Sequence, residues 1–145
     1  MFMSFDLSLV RGDIKVQDDG ALSIVTGNSK LRQDIIKILL TELGDNKFHP
    51  NYGSHVGALQ IGHYADKALI NLDLQSSAMK AVRNLMALQR SQSRRQALSS
   101  GEKIIEVLSV LVERDSLDPR MYNIFVSVLT EELTEVRNNI TVRIA

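Results

Sequence analysis

The chain has 145 residues, 44% apolar and 23% charged, and its 17 basic and 17 acidic side chains balance to a formal net charge of zero. These values are typical of one soluble globular domain over residues 1–145, and they disfavour the broad basic face that non-specific nucleic-acid binding needs. The absence of cysteine excludes disulfide scaffolds, thiolate metal sites and cysteine nucleophiles.

No apolar run approaches the roughly 18 residues of a membrane helix, so no membrane association is expected. The N-terminus lacks the charged start and apolar core of a signal peptide. A reducing cytoplasm is therefore the expected place of synthesis. A chain without net charge also repels its neighbours only weakly, which favours a subunit built into an assembly.

The N-terminal region is predicted to form strands. Residues 5–9 alternate apolar and polar side chains, as a half-buried strand does, and residues 13–17 repeat the pattern. The sequence at 18–20, Asp-Asp-Gly, predicts a tight hairpin turn because glycine accepts a positive φ. Leu22 and Ile24 would then line one face of the returning strand.

The next segment is predicted to be a helix of about four turns. Gly27 breaks the preceding strand, and Asn28 or Ser29 can cap the helix. Gly44 would end it. The apolar stripe consists of Leu31, Ile35, Leu39 and Leu43, widened by Ile36, Ile38 and Leu40.

A short helix is predicted at 56–61, and a second long helix at about 66–97. The apolar stripe of the long helix comprises Leu69, Leu72, Met79, Val82 and Met86. The arginines at 83, 90 and 94 share one side of it. A solvated face is the simplest interpretation of these arginines. An acidic protein neighbour comes second and nucleic acid third, because no aromatic residues accompany them for base stacking.

The last third of the chain is predicted to form a three-stranded antiparallel meander. The sequence at 99–102 resembles a helix capping box, but the β-branched residues of 103–112 favour a strand after one short turn. A turn at 115–119, a strand at 121–129, a polar connection at 130–139 and a strand at 140–144 follow. The predicted fold class is therefore α+β: an N-terminal strand and β-hairpin, two main helices and the C-terminal meander.

No catalytic, metal or cofactor site is predicted. His49, His55 and His63 lack the spacing of three or four residues that metal-binding helices use, and no serine lies in a nucleophile elbow. The carboxylates at 42 and 45, and those at 131, 132 and 135, are interpreted as solvated helix-end and loop residues. A peptidoglycan-cleaving enzyme that uses two carboxylates is the alternative.

The segment FHPNYGS, at 48–54, is predicted to be a structural joint. Pro50 fixes φ, and Gly53 permits a conformation closed to other residues. Phe48 and Tyr52 are expected to contribute buried area. Such a turn would hold the first long helix against the second.

The order of these pieces resembles the baseplate wedge, or sheath-initiator, protein of contractile phage tails. This lysozyme-like family has relatives in the baseplates of type VI secretion systems and in other contractile injection machines. The resemblance rests on Gln33-Asp34 near the helix start, on the helix that ends in Gly44, and on the turn with Phe48, Pro50 and the sequence Tyr-Gly-Ser.

The resemblance implies a non-enzymatic virion protein of the tail baseplate, present in six copies and assembled in the host cytoplasm. Its implied partners are the larger wedge proteins, the tail sheath protein and, as a further candidate, the central spike or hub. The C-terminal sheet would accept a strand from the sheath by β-augmentation. The candidate partner-binding residues are Glu106, Ile140, Val142, Arg143 and Ile144.

One departure from the family leaves an alternative open. Members of the family often carry Glu-Pro-Arg at the start of the C-terminal sheet, where this chain has Glu106-Val107-Leu108. A similar Asp118-Pro119-Arg120 follows later, in the predicted turn. Either Glu106 or this later triplet would take the role of the family motif.

Overall fold

The α+β prediction is confirmed by a computed structural model that describes residues 3–56 and 67–144. Most of the helix predicted at 56–61 lies outside the described residues. The elements are β1 (Asp6–Leu7), β2 (Leu9–Val10), β3 (Asp13–Ile14), β4 (Ile24–Val25), α1 (Gly27–Leu40), α2 (Lys67–Gln92), β5 (Ile104–Arg114), β6 (Met121–Thr130) and β7 (Glu135–Arg143).

The N-terminal strands form two small antiparallel pairs, β1 with β4 and β2 with β3. The predicted turn at 18–20 is confirmed, because the Gln17 amide donates to the Ala21 carbonyl and Gly20 has a φ of +85°. The prediction that one face of these N-terminal strands is buried is wrong. Five apolar side chains there are 40% to 55% exposed: Leu9, Ile14, Val16, Leu22 and Ile24. Helix α1 forms hydrogen bonds with these strands through the polar side chains of Gln33 and Lys37.

Helix α1 differs from its prediction at both ends. Thr26 occupies the N-cap position, and Asn28 instead donates its amide to Glu132 in the turn after β6. The helix ends at Leu40, with Thr41 bonding back to the carbonyl of Lys37. Gly44 therefore lies in the following turn. The buried stripe holds Leu31, Ile35, Ile38 and Leu39, whereas Ile36 and Leu40 are exposed.

Helix α2 is shorter than predicted and buries a different face. The predicted stripe is wrong at Leu69 and Leu72, which are exposed. The buried positions are Leu74, Ala78, Ala81, Val82 and Leu85. Two alanines in that face allow the helix to approach the sheet closely. Within the described ranges, no helix is long and apolar enough to cross a membrane.

The C-terminal sheet has the predicted meander order, β5-β6-β7, with both pairs antiparallel. The predicted polar connection at 130–139 is wrong, because a tight turn over 131–134 leads directly into β7 at Glu135. The predicted strand after one short turn is confirmed. The Ser99 hydroxyl donates to the Glu102 carboxylate at 3.2 Å, residues 100–102 form a turn, and β5 follows.

The core lies between one face of this sheet and the two helices. Ile124, Val126 and Val128 of β6 are almost wholly buried, as are Val136 and Val142 of β7. Each such side chain contributes about 1.5–3 kcal/mol by leaving water. The opposite face of the sheet carries exposed residues, so one side of the sheet is covered by helices and the other is open.

Candidate interaction surfaces

The two outer strands of the C-terminal sheet differ in regularity. β7 pairs with β6 over nine consecutive residue pairs without a shift of register. β5 shifts register twice against β6, between Ile104 and Glu106 and again between Val107 and Ser109. Such bulges twist an edge and discourage further pairing. Within the described part of the chain, β7 is therefore the regular edge.

The direction of the backbone groups on β7 follows from one hydrogen bond beyond its end. Successive residues of an antiparallel strand point their N–H and C=O groups to opposite sides. The Ile144 amide donates to the Arg120 carbonyl, just before β6, at 2.7 Å. Residues spaced by two from Ile144, including Ile140 and Val142, therefore direct their backbone groups toward β6.

The intervening residues direct their backbone groups away from β6, toward the outer side of the sheet. Among the described residues, no strand lies on that side. These outward positions are Glu135, Arg137, Asn139, Thr141 and Arg143, and all five side chains are exposed and polar. Hydrogen bonds from Arg137 and Ser127 hold the pKa of Glu135 at about 2.

The residues predicted to bind partners fall into two groups. The side chains of Ile140, Val142 and Ile144 are buried in the core, so they are not available for contact with a partner. Arg143 is exposed at the edge, and Glu106 is exposed on β5.

Glu106 lies beside helix α2. It lines a shallow depression together with Arg83, Arg90 and Met86 of the helix. The structure thus brings Glu106 together with two of the arginines that the sequence singled out. The Asp118-Pro119-Arg120 triplet lies in the turn at the other end of β5, between that strand and β6.

The FHPNYGS segment is joined to α1 through Ser54. The Ser54 hydroxyl donates to the Leu39 carbonyl at 2.6 Å, and its amide donates to the Thr41 carbonyl at 2.9 Å. The predicted positive φ of Gly53 is confirmed, at +126°. That angle lets the chain run directly over the end of the helix.

The same segment is also joined to α2. The His55 amide donates to the Ser77 hydroxyl at 2.8 Å, and the Asn84 amide group donates to the Asn51 carbonyl at 3.2 Å. Contacts with both helices are what the joint interpretation predicts. The predicted burial of Phe48 is wrong, because that side chain is 91% exposed. Tyr52 packs partly against the core.

A buried ionic network that the sequence analysis missed ties α1 to the start of the sheet. The Lys30 ammonium lies 2.6 Å from the Asp34 carboxylate and 3.3 Å from that of Glu102. Glu102 is fully buried. Lys37, about two turns beyond Lys30 on α1, lies 2.6 Å from Asp6. Only the spacing of four between Lys30 and Asp34 was visible in the sequence.

Two opposing effects set the pKa values in this network: burial, which disfavours the charged form of each group, and pairing with an opposite charge, which favours it. Burial raises the pKa of Asp34. Burial alone would lower that of Lys30, but its carboxylate partners outweigh burial and raise it. Burial would also raise the pKa of Asp6, but hydrogen bonds from Lys37 and Gln33 lower it overall. Burial, helped by the two aspartates, raises the pKa of Tyr52 to about 12.

Besides its hydrogen bond to Asp6, Gln33 binds the backbone of the N-terminal strands. Its side-chain oxygen accepts from the Leu9 amide at 2.9 Å, and its amide donates to the Leu7 carbonyl at 2.7 Å. It thereby satisfies backbone groups at the junction of β1 and β2. The pair Gln33-Asp34 thus anchors the N-terminal strands with its first residue and the Lys30 network with its second.

A cleft of about 850 Å³ lies over the network and is lined by Asp6, Asp34, His49, Tyr52 and Arg95, among others. His49 and His55 are both exposed. Residues 3–56 and 67–144 contain no group of three or more side chains able to hold a metal ion. His63 lies outside the described residues.

Comparisons with known proteins give a match to a solved structure. No protein-family model matches the chain, and no curated protein is significantly similar to it. A crystal structure described as that of a "putative tail lysozyme" from Geobacter sulfurreducens superimposes with a TM-score of 0.63 at 13% identity. The match covers 86% of this chain and 97% of that one. At this identity the likeness shows a shared fold.

Proposed function

We propose that the protein is a structural subunit of the baseplate wedge of a contractile phage tail. In this proposal it binds the larger wedge proteins, and its C-terminal sheet initiates the sheath. Two findings support the proposal: the fold shared with a protein described as a tail lysozyme, and the regular outer edge of β7. The second carries the mechanism, since an edge without bulges is a template for another strand.

The mechanism is β-augmentation at the outward positions of β7. A strand from a sheath subunit would pair with residues such as Asn139, Thr141 and Arg143, whose backbone groups point away from β6. Each hydrogen bond formed this way contributes about 1 kcal/mol net. Several together give affinity with little demand on the side chains of the incoming strand.

The exposed charges on β7 fit the free protein as well as the assembled one. Arg137, which is paired with Glu135, and Arg143 project from the exposed face of this edge strand, and charged side chains on an edge strand discourage accidental pairing between copies. A sheath strand with acidic residues at the facing positions would be attracted by the same charges. The arginines would thus select the partner that the backbone then holds.

In this proposal the wedge proteins bind at Glu106. Its depression on α2 and β5 combines one carboxylate with Arg83 and Arg90, and Met86 also lines it. Such a mixture suits a polar segment of a larger subunit. Glu106, rather than Asp118-Pro119-Arg120, is therefore proposed for the role of the family motif.

Along β7 the backbone N–H groups point alternately toward β6 and away from it, so a single substitution can test the proposal. Thr141→Pro removes an N–H that points outward and leaves the ladder with β6 intact. We expect the variant to fold and to enter baseplates. Sheath growth from these baseplates, scored by electron microscopy, should be abolished. Thr141→Ala loses the hydroxyl bond to Asn123 but keeps the N–H, so this matched control should grow sheaths normally.

Val142→Pro makes a useful contrast. It removes an N–H that points to β6, so it should destabilise the sheet itself and lower the urea midpoint. Full-length sheaths growing from Thr141→Pro baseplates would overturn the proposed sheath contact.

A cell-wall hydrolase is the alternative, and one observation favours it. Asp34 and Asp6 lie in one cleft with pKa values shifted in opposite directions, as in pairs of catalytic carboxyl groups. Each carboxylate, however, is held 2.6 Å from a lysine ammonium. We therefore expect the purified protein not to clear suspensions of bacterial cell walls. Clearing that Asp34→Asn abolishes would establish the hydrolase instead.

A further inference from the structure

A groove between α1 and the N-terminal strands remains outside the proposed contacts. This α1–hairpin groove, about 620 Å³ in volume, is walled by Leu9 and Val25 from the strands and by Ile36 and Leu40 from the helix. Leu40 is 59% exposed. Apolar side chains gathered in this way on a surface commonly mark an interaction site.

Around the groove, the backbone N–H and C=O groups on the side of α1 mostly have hydrogen-bond partners already. Gln33 occupies the Leu9 amide and the Leu7 carbonyl. The Ser8 amide and carbonyl are bonded to Ser23 and Lys15. An extended segment would therefore find no ladder to join at these positions. A helix satisfies its own backbone and needs only apolar contact, so a helix fits this groove and a strand does not.

Charge indicates what else the occupant carries. Arg11 and Lys37 line the groove, no carboxylate is among its lining residues, and Lys37 is already paired with Asp6. Arg32 extends the cationic side one turn along α1, next to Ile36. The described contacts include no ion pair for Arg11. An acidic side chain on the occupant would complement this rim.

The backbone at Arg11 has a conformation that suits other residue types better. Arg11 and Gly12 form the two-residue turn between β2 and β3, with φ values of +54° and +83°. Turns of this kind favour asparagine or glycine at the first position, because other residues are strained at positive φ. Arginine at this position therefore strains the turn.

We propose that the α1–hairpin groove binds an amphipathic helix of a larger wedge subunit, with its apolar stripe between Leu40 and Leu9 and a carboxylate on Arg11. This assignment rests on the proposed function and adds a second contact, distinct from Glu106 and from the β7 edge. The groove side of α1 presents Ser29, Gln33, Ile36 and Leu40 at spacings of three and four, which match the stripe of a second helix.

The test is binding to co-expressed wedge subunits, with two matched pairs of variants. Leu40→Ser should weaken binding at least about tenfold. Leu72→Ser, at a helix position of equal exposure (61%) outside the groove, should leave binding unchanged. Arg11→Glu should weaken binding as strongly as Leu40→Ser. Arg11→Asn should also weaken binding but raise the urea midpoint, because asparagine relieves the turn.

A photoreactive residue placed at Ile36 would identify the occupant of the groove by crosslinking to it. Crosslinking should map to a partner segment with an apolar stripe and adjoining carboxylates. Normal binding by Leu40→Ser and Arg11→Glu, or a crosslink to an extended segment, would overturn the groove assignment alone. Self-association of the parent chain that Leu40→Ser abolishes would assign the groove to a second copy and overturn it too. A parent chain that binds no wedge subunit would overturn the proposed function and this assignment together.

Discussion

Gly53→Ala is expected to be among the most destabilising substitutions of a small residue in this protein. A methyl group built on Gly53 would lie 2.7 Å from the Thr41 carbonyl oxygen and 2.9 Å from that of Glu42. Both contacts are with backbone, which cannot rotate away. The steric clash adds to the strain of a φ near +126°. We expect a loss of about 3 kcal/mol or more in the free energy of unfolding by urea, and Gly53→Val should be no better tolerated.

Gly44→Ala is the matched control for this prediction. Gly44 also has a positive φ, +96°, but among the described residues a methyl group there would meet no atom within 4 Å beyond its own chain neighbours. It should therefore lose only about 1 kcal/mol, from backbone strain. Equal losses for the two variants would show that the close approach to the end of α1 is relieved by a small shift of the turn.

Lys30→Met is expected to have a comparable effect through electrostatics. Methionine keeps most of the side-chain volume but removes the ammonium that pairs with Asp34 and the fully buried Glu102. A buried carboxylate left without its cation destabilises a protein by about 3–5 kcal/mol. Calorimetry or urea unfolding at neutral pH measures this loss.

Two further variants separate this mechanism from a general effect of losing a lysine. Adding Glu102→Gln to Lys30→Met removes the more deeply buried of the two carboxylates that lose their cation, so the double variant should recover part of the lost stability. Lys103→Met removes the partially exposed pair with Glu131, whose atoms lie 3.4 Å apart, and should change stability by no more than about 1 kcal/mol. A Lys30→Met variant as stable as Lys103→Met would contradict the proposed importance of the buried network.

The strands of the C-terminal sheet were predictable wherever β-branched residues alternate over a long run, as in 121–129. The first half of β7 was missed because its exposed positions carry Glu135, Arg137 and Asn139, which resemble a loop. One of its inward positions, Asn138, is also polar. That residue is buried because its amide donates to the Arg32 carbonyl on α1, at 3.2 Å, a contact more than a hundred positions away in the chain.

The site residues were only partly predictable for a related reason. Local conformation was readable, so Gly53 was assigned its positive φ. Burial depends on which elements pack together, and the sequence does not show this. The expectations that Phe48 is buried and that Leu69 faces the core are therefore both wrong. The roles of Gln33, Lys30 and Glu102 depend on partners from three separate segments. A spacing pattern within one segment could not have indicated them.

The contrast between the bulged β5 and the regular β7 has a consequence for valence. A sheet with two regular edges can add copies of itself at both sides and grow into a fibre. A sheet with one usable edge is monovalent: it accepts a single strand and then stops. Such a subunit can nucleate a polymer made of another protein without polymerising itself, and a closed ring of such subunits would offer as many starting points as it has members.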